Sequence, residues 1–195
     1  MDVTQLRIHH VEPSSSVNGP GLRCVIWVQG CSLGCPGCFN PYTHPASGGS
    51  LVSIFQLADE VSKQNGKIEG LTISGGEPLQ QLPALTHFLK LIKTHSDFSV
   101  VLFSGFSWTE IQRVPGSQSL LPLIDVLLAG RYEQENRLAA GLLGSKNKTI
   151  HFLTSRYARK DFETIPEAEI IIKPDGTLIS TGIDPFVGGK HAQRG

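Results

Sequence analysis

Apolar positions along this chain recur with two periods, and the two alternate. Residues 22–29 (LRCVIWVQ) are apolar on both faces after Arg23 and rich in β-branched and aromatic side chains. That pattern predicts a strand buried on both sides. Ile54, Leu57, Ala58 and Val61 then recur at helical spacing, predicting a helix over 54–64 with Ser53 as its cap. Residues 71–74 predict the next strand. Pro83 opens a second helix running to about Thr94, with Leu85, Phe88, Leu89 and Ile92 on its apolar stripe. Residues 98–103 (FSVVLF) predict a third strand, and Ser107-Trp108-Thr109-Glu110 fits the capping box of a short helix. Residues 124–128 predict a fourth strand.

The flanks carry weaker signals. Residues 6–11 read as a short leading strand and 149–153 as a fifth strand. Residues 133–148 are polar and glycine-rich, a long functional loop. Residues 168–172 and 177–180 flank Lys173-Pro174-Asp175-Gly176, which predicts a β-hairpin over about 168–182. The residues from Gly188 read as a frayed tail. A strand, a loop and a helix repeated in this way imply an α/β fold, because parallel strands need crossover connections.

Composition narrows the setting. The chain has 195 residues, 17 basic and 17 acidic, enough for a single domain over 1–195 with a substantial core. A balanced charge gives no field to draw it to nucleic acid or to an anionic membrane. The first ten residues lack the apolar core of a signal peptide. The most apolar stretch, 120–128, contains Pro122 and Asp125, so no span of a bilayer is expected. A cytoplasmic protein is the expectation.

Chemistry enters at CSLGCPGCFN, residues 31–40. Cys31, Cys35 and Cys38 have a C-x3-C-x2-C spacing, directly after the first buried strand. Gly34, Pro36 and Gly37 let the backbone turn tightly around a common centre. Three cysteines within eight positions do not pair sensibly as disulfides, so a metal role in a reducing compartment is expected. A closed zinc site wants four ligands; a cubane of four irons held by three thiolates keeps one iron open. A zinc knuckle with His44 as the fourth ligand stands as the alternative. Cys24 alternates with apolar neighbours and reads as core, as does Trp27; Trp108 reads as packing.

A second loop, Ser74-Gly75-Gly76-Glu77-Pro78, also ends a predicted strand. Its glycines permit close approach of backbone to a ligand, and Glu77 offers an acceptor suited to an ammonium group. Paired with the cysteine loop, it resembles the radical S-adenosylmethionine (SAM) enzymes. Asn18-Gly19-Pro20-Gly21-Leu22-Arg23 resembles the N-G-P-G-x-R segment of the activating enzymes of glycyl radical enzymes. The likeness is greatest to the reductase activators, which also have segments similar to Ile124-Asp125-Val126-Leu127 and Gly144-Ser145-Lys146-Asn147. It runs from about Ser16 to about Leu153. This chain has Gly37 where many members carry an aromatic, and Ala129-Gly130-Arg131 where the reductase activators tend to read Asp-Gly-Lys.

The resemblance implies a [4Fe–4S] cluster on Cys31, Cys35 and Cys38, with SAM chelating the open iron through its amino and carboxylate groups. One electron through the cluster would break the sulfonium C–S bond. The 5′-deoxyadenosyl radical so formed would take hydrogen from a glycine Cα of the partner, anaerobic ribonucleotide reductase leading. Reduced flavodoxin or ferredoxin would be the electron donor. Ser74, Gly75, Gly76 and Glu77 would grip the methionyl amino group, Gly37 and Phe39 would lie at the cofactor, and Arg131 would meet its carboxylate. The implied fold is an incomplete (β/α)6-type barrel of about six mostly parallel strands, ending in the hairpin. Arg23 suits a structural salt bridge or a partner contact equally, and Ser145 and Asn147 suit a turn. Two rivals remain: a small-molecule radical enzyme that contracts a pterin ring (7-carboxy-7-deazaguanine synthase-like), expected to carry Q-G-E-G in place of N-G-P-G, and a non-catalytic zinc module.

Overall fold

The computed structural model describes residues 3–183 and the backbone of 193–194. One sheet organises the molecule. Its strands in chain order are β1 (Gln5–Ser15), β2 (Arg23–Val28), β3 (Ser50–Ser53), β4 (Gly70–Gly75), β5 (Ser99–Ser104), β6 (Val126–Ala129) and, after a ribbon of β7 (Arg137–Ala140) and β8 (Leu143–Ser145), β9 (Thr149–Phe152). The spatial order is β3-β1-β2-β4-β5-β6-β9. The four central strands, β2, β4, β5 and β6, run parallel, and both flanks are antiparallel.

Helices α1 (Ile54–Ser62), α2 (Leu82–His95), α3 (Trp108–Arg113) and α4 (Ser117–Leu120) supply the crossovers. All four pack on one face. Leu57, Leu85, Phe88, Ile92, Ile111 and Leu120 join Ile26, Ile73 and Leu102 of the strands in one core. The alternating residues Val101, Val126 and Leu128 face the other way, where Leu142 of the ribbon and Phe162 of α5 (Lys160–Glu163) meet them. The capping box of α3 forms as expected: Ser107 accepts from the Glu110 amide, and the Glu110 carboxylate accepts from the Ser107 amide. Pro83 sits in the first turn of α2, where its missing N–H costs nothing.

The parallel count differs from expectation, four strands against about six. The chain from Gly130 to Lys148 contains no α-helix, and its two ends meet at the carboxyl edge of β6. Without a crossover to the other edge, β9 runs back antiparallel to β6, with Leu127 opposite His151. Strand β1 is likewise antiparallel to β2. The sheet is open: among the described residues its edge strands β3 and β9 do not pair with each other.

The hairpin forms where expected, from β10 (Ala168–Ile172) and β11 (Leu178–Gly182), with Ile172 opposite Leu178. Lys173 accepts from the Gly176 amide and donates to Thr177 O, both at 2.9 Å, and Gly176 takes the positive φ of +83°. The backbone of 193–194, β12 (Gln193–Arg194), pairs parallel to β11. The expected frayed tail otherwise lies outside the described residues.

At the amino end of the parallel strands, Arg23 is fully buried. Its guanidinium donates to Thr72 Oγ1, Pro20 O, Ser99 Oγ, Ser99 O and Leu71 O at 2.6–3.2 Å. Uncharged acceptors hold it, so Arg23 is neither a salt bridge nor a partner contact; it ties the N-G-P-G loop to β4 and β5. Gly19 is required there, because a Cβ would strike the Arg23 stem.

Candidate cofactor site

The carboxyl ends of the parallel strands carry the site. β2 delivers the chain to Gly30, whose φ of +100° turns it into the cysteine loop. Gly30 N donates to Thr43 O at 2.7 Å and Cys31 N to His44 O at 3.0 Å, so the loop is closed from behind by residues 43–44. Buried Gln29 fastens the same return, donating to Tyr42 O and Pro45 O. Ser32 and Gln80 exchange two hydrogen bonds, which ties the loop to the turn before α2. Cys31, Cys35 and Cys38 are all free and partly exposed.

The Gly-Gly-Glu loop lies directly on this strand end. Gly76 N donates to Val28 O at 2.8 Å and Glu77 N to Gly30 O at 2.9 Å. A Cβ on Gly75 or Gly76 would fall inside contact distance of the Val28 or Gly30 carbonyl oxygen. These glycines are therefore demanded first by backbone against backbone. Glu77 is fully buried. Its Oε1 accepts from Leu79 N at 3.0 Å and Ser104 Oγ at 2.9 Å, and its Oε2 from Gly105 N at 2.7 Å. Three of its roughly four acceptor positions are thus engaged within the protein. Burial nonetheless pushes its pKa up, against those three hydrogen bonds.

One cavity joins the two loops. The three cysteines line it together with Ser74, Gly75, Gly76 and Glu77. Phe39 also lines it, its ring 4.6 Å from that of Tyr132, another lining residue, with Gly144 giving it room. Two expected residues stand elsewhere. Gly37 does not line the cavity; it has a φ of +68° and packs against the Gln134 side chain. Arg131 is also outside the lining, its Nη1 donating to both Glu110 oxygens at 2.8–3.0 Å, with the Phe106 ring beneath it. The Glu110 carboxyl is held down to about 2, first by that bond and then by the Ser107 cap. Ser145 and Asn147 serve the turn, accepting from Glu133 N and donating to Arg131 O.

The structure adds residues that the sequence did not place at the site. Trp27 is buried, stacked on His10, and yet reaches the cavity wall. Asn18, Leu142 and Lys148 line it as well, as do Gly182 and Ile183 at the end of the hairpin. The run Gly144-Ser145-Lys146-Asn147 ends one position before Lys148, the only signal that pointed towards it.

The three thiols share the wall of one cavity, and His44, the fourth ligand of the zinc alternative, lines it too; among the described residues no three His, Cys, Asp or Glu side chains are grouped around a single metal position. Burial raises the pKa of Cys31 and Cys38, so without a metal each thiol keeps its proton, and binding iron would release it.

An α/β sheet with a parallel centre, and with three free thiols and a glycine-rich loop around one cavity at the carboxyl ends of its parallel strands, has the build of an iron–sulfur protein with room for a ligand beside the metal. The model of the 4Fe-4S single cluster domain family matches residues 17–151. An anaerobic ribonucleoside-triphosphate reductase-activating protein of Vibrio cholerae is 34% identical over 158 residues, 76% of this chain and 99% of that one. Proteins of the same description from phage T4 and Escherichia coli K12 are 31% and 28% identical, over 72% and 76% of this chain and 90% and 99% of theirs. The chain belongs to the 4Fe-4S single cluster domain family and, within it, to the anaerobic ribonucleoside-triphosphate reductase-activating proteins. Among solved structures, QueE from Escherichia coli is similar with a TM-score of 0.41 and 20% identity, over 53% of this chain and 54% of that one.

Proposed function

We propose that this chain is a radical SAM activating enzyme whose protein substrate is an anaerobic ribonucleoside-triphosphate reductase. The observation that carries the reading is the shared cavity of the cysteine loop and the Gly-Gly-Glu loop. Cys31, Cys35 and Cys38 hold the [4Fe–4S] cluster. When bound, the cluster supplies the electron for reductive cleavage of SAM, which leads to hydrogen removal from a glycine Cα of the partner.

The protein's own part is holding and shielding. Ser74, Gly75 and Gly76 present backbone groups to the methionyl amino end. Glu77 serves chiefly by fixing that loop, since its oxygens already accept from Leu79, Ser104 and Gly105. Phe39 and Tyr132 form an aromatic wall suited to the adenine. Arg131, paired with Glu110, braces the end of β6 from outside the cavity. Helices α1 to α4 on one face, with only the short α5 on the other, are compatible with a segment of a barrel whose inner face is the ligand side. Reduced flavodoxin or ferredoxin is the electron donor, the setting cytoplasmic, and neither nucleic acid nor membrane is a partner. No helix of the described residues is long and apolar enough to cross a bilayer.

The test is anaerobic reconstitution with iron and sulfide, then dithionite and SAM, with 5′-deoxyadenosine as the readout. Wild type should form it and Cys35→Ala should not. With the reductase present, a glycyl radical should be seen by electron paramagnetic resonance. Turnover persisting in Cys35→Ala would refute the ligand assignment. Colourless protein carrying stoichiometric zinc would refute the enzyme.

A further inference from the structure

Among the described residues, Lys148 is the one lysine or arginine that lines the cavity with the three cysteines. The fold builds its position. Lys148 N donates to Ser145 O at 3.2 Å, and the neighbouring Asn147 side chain donates to Arg131 O at 2.9 Å. Gly130, at a φ of +122°, leaves space for its stem: a Cβ there would stand 3.3 Å from Lys148 Cα and 3.6 Å from its Cγ. Gly130 is itself fixed by donating to Ser104 O and Phe106 O. The stem is thus pressed between the end of β6 and the cavity.

The ammonium has no hydrogen bond or ion pair with any described residue. The negative groups that act on it are Cys35, Cys38 and Glu77, while burial pulls its pKa down. Glu77 is committed to three donors of its own. That leaves the cysteine sulfurs of the same cavity, once iron has made them thiolates, as the natural counter-charge. Lys148 is partly buried, and an ammonium there without a fixed partner is placed to meet a negative group that arrives in the cavity.

We propose that Lys148 supplies a standing positive charge in the cavity wall shared with the three cysteines and so raises the potential at which the cluster accepts its electron. This rests on the assignment of the three cysteines as cluster ligands. Reduction adds one electron from an external one-electron donor and no proton, so the cluster gains one negative charge. A nearby cation favours the reduced form, and low local polarity strengthens the effect.

The experiment uses the full chain, reconstituted anaerobically without SAM and titrated against dithionite. The fraction of reduced cluster is read by low-temperature electron paramagnetic resonance. Lys148→Gln should have a reduced-to-oxidised ratio about tenfold below wild type at a fixed potential, about 59 mV for a one-electron couple. Lys148→Arg should stay within about twofold of wild type, and Lys146→Gln, on an exposed neighbour, should not shift. Lys148→Met keeps an unbranched apolar stem and should repeat the Gln result. A Gln variant that titrates with wild type at equal iron content overturns the proposal, as does loss of iron in both Gln and Met variants. Wild type that takes up no cluster sinks the cysteine assignment itself.

Discussion

Glu77 Oε1 accepts a 2.9 Å hydrogen bond from Ser104 Oγ, which joins the turn after β4 to the last residue of β5. With Leu79 N and Gly105 N on the same carboxylate, one side chain fixes its own turn and the end of β5 together. Replacing Glu77 by Ala leaves three donors unpaired, two of them backbone amides. At about 1–3 kcal/mol for each buried orphan, the expected loss is about 3 kcal/mol or more in denaturant unfolding. Glu77→Gln should cost about 1–3 kcal/mol, because an amide NH2 would face the Gly105 N–H. Equal stability of the Ala variant and wild type would show that the carboxylate holds nothing.

Gly76→Ala places a methyl against the Gly30 carbonyl. Both partners are backbone, so the cysteine loop and the Gly-Gly-Glu loop must separate. Iron uptake on reconstitution should fall several-fold while the far-UV circular dichroism stays close to wild type. Full iron content in this variant would contradict the close fit.

Asp125 gives the acid dependence. Burial alone would raise its pKa, but hydrogen bonds from Val100 N and Thr154 Oγ1, with Lys93 beside it, leave it below the usual value. A lowered folded pKa means stability that is present above the unfolded value and lost as pH falls through the folded one. Wild type should therefore lose stability relative to Asp125→Asn as pH drops from about 5 towards 3. Denaturation midpoints at those two pH values, compared with neutral pH, provide the check. A wild type and Asn variant that fall in parallel would argue against it.

Arg23→Lys keeps the charge and loses the fork. One ammonium has three donors and cannot reach the six acceptors that Arg23 serves, the Tyr157 hydroxyl at 3.4 Å included. The expected cost is about 3 kcal/mol or more. The Arg23 cage is at the amino end of the strands and outside the cavity lining. SAM affinity of the folded fraction should stay within about twofold of wild type; a large change in affinity would place Arg23 in the ligand site after all.

The parallel core was readable because strands covered on both faces leave continuous apolar runs, as residues 24–28 do. Local rules also served: the Ser107 capping box and the Pro-Asp-Gly hairpin depend on neighbours in sequence. Strand direction was not readable. Residues 149–152 have the same pattern whether they run with β6 or against it, and only the absence of a crossover decides. The burial of Glu77 was hidden for a related reason, since its partners Ser104 and Gly105 belong to another strand end. Lys148 looked like any solvated lysine in a polar loop, because its surroundings are made by Gly130 and the cysteine loop rather than by its own neighbours.

The hairpin of β10 and β11 lies beyond residue 151, where the family match stops. Glu169 accepts from both the amide and the hydroxyl of Ser16, and Thr181 accepts from Asn18, so the hairpin is stitched to the loop ahead of β2. Its last residues, Gly182 and Ile183, reach the rim of the cofactor cavity. A chain cut short of the hairpin would leave Asn18 without Thr181 and the cavity without Gly182 and Ile183 on its wall. The extra length of this protein is thus not an appendage: it furnishes part of that wall from outside the stretch that identifies the family.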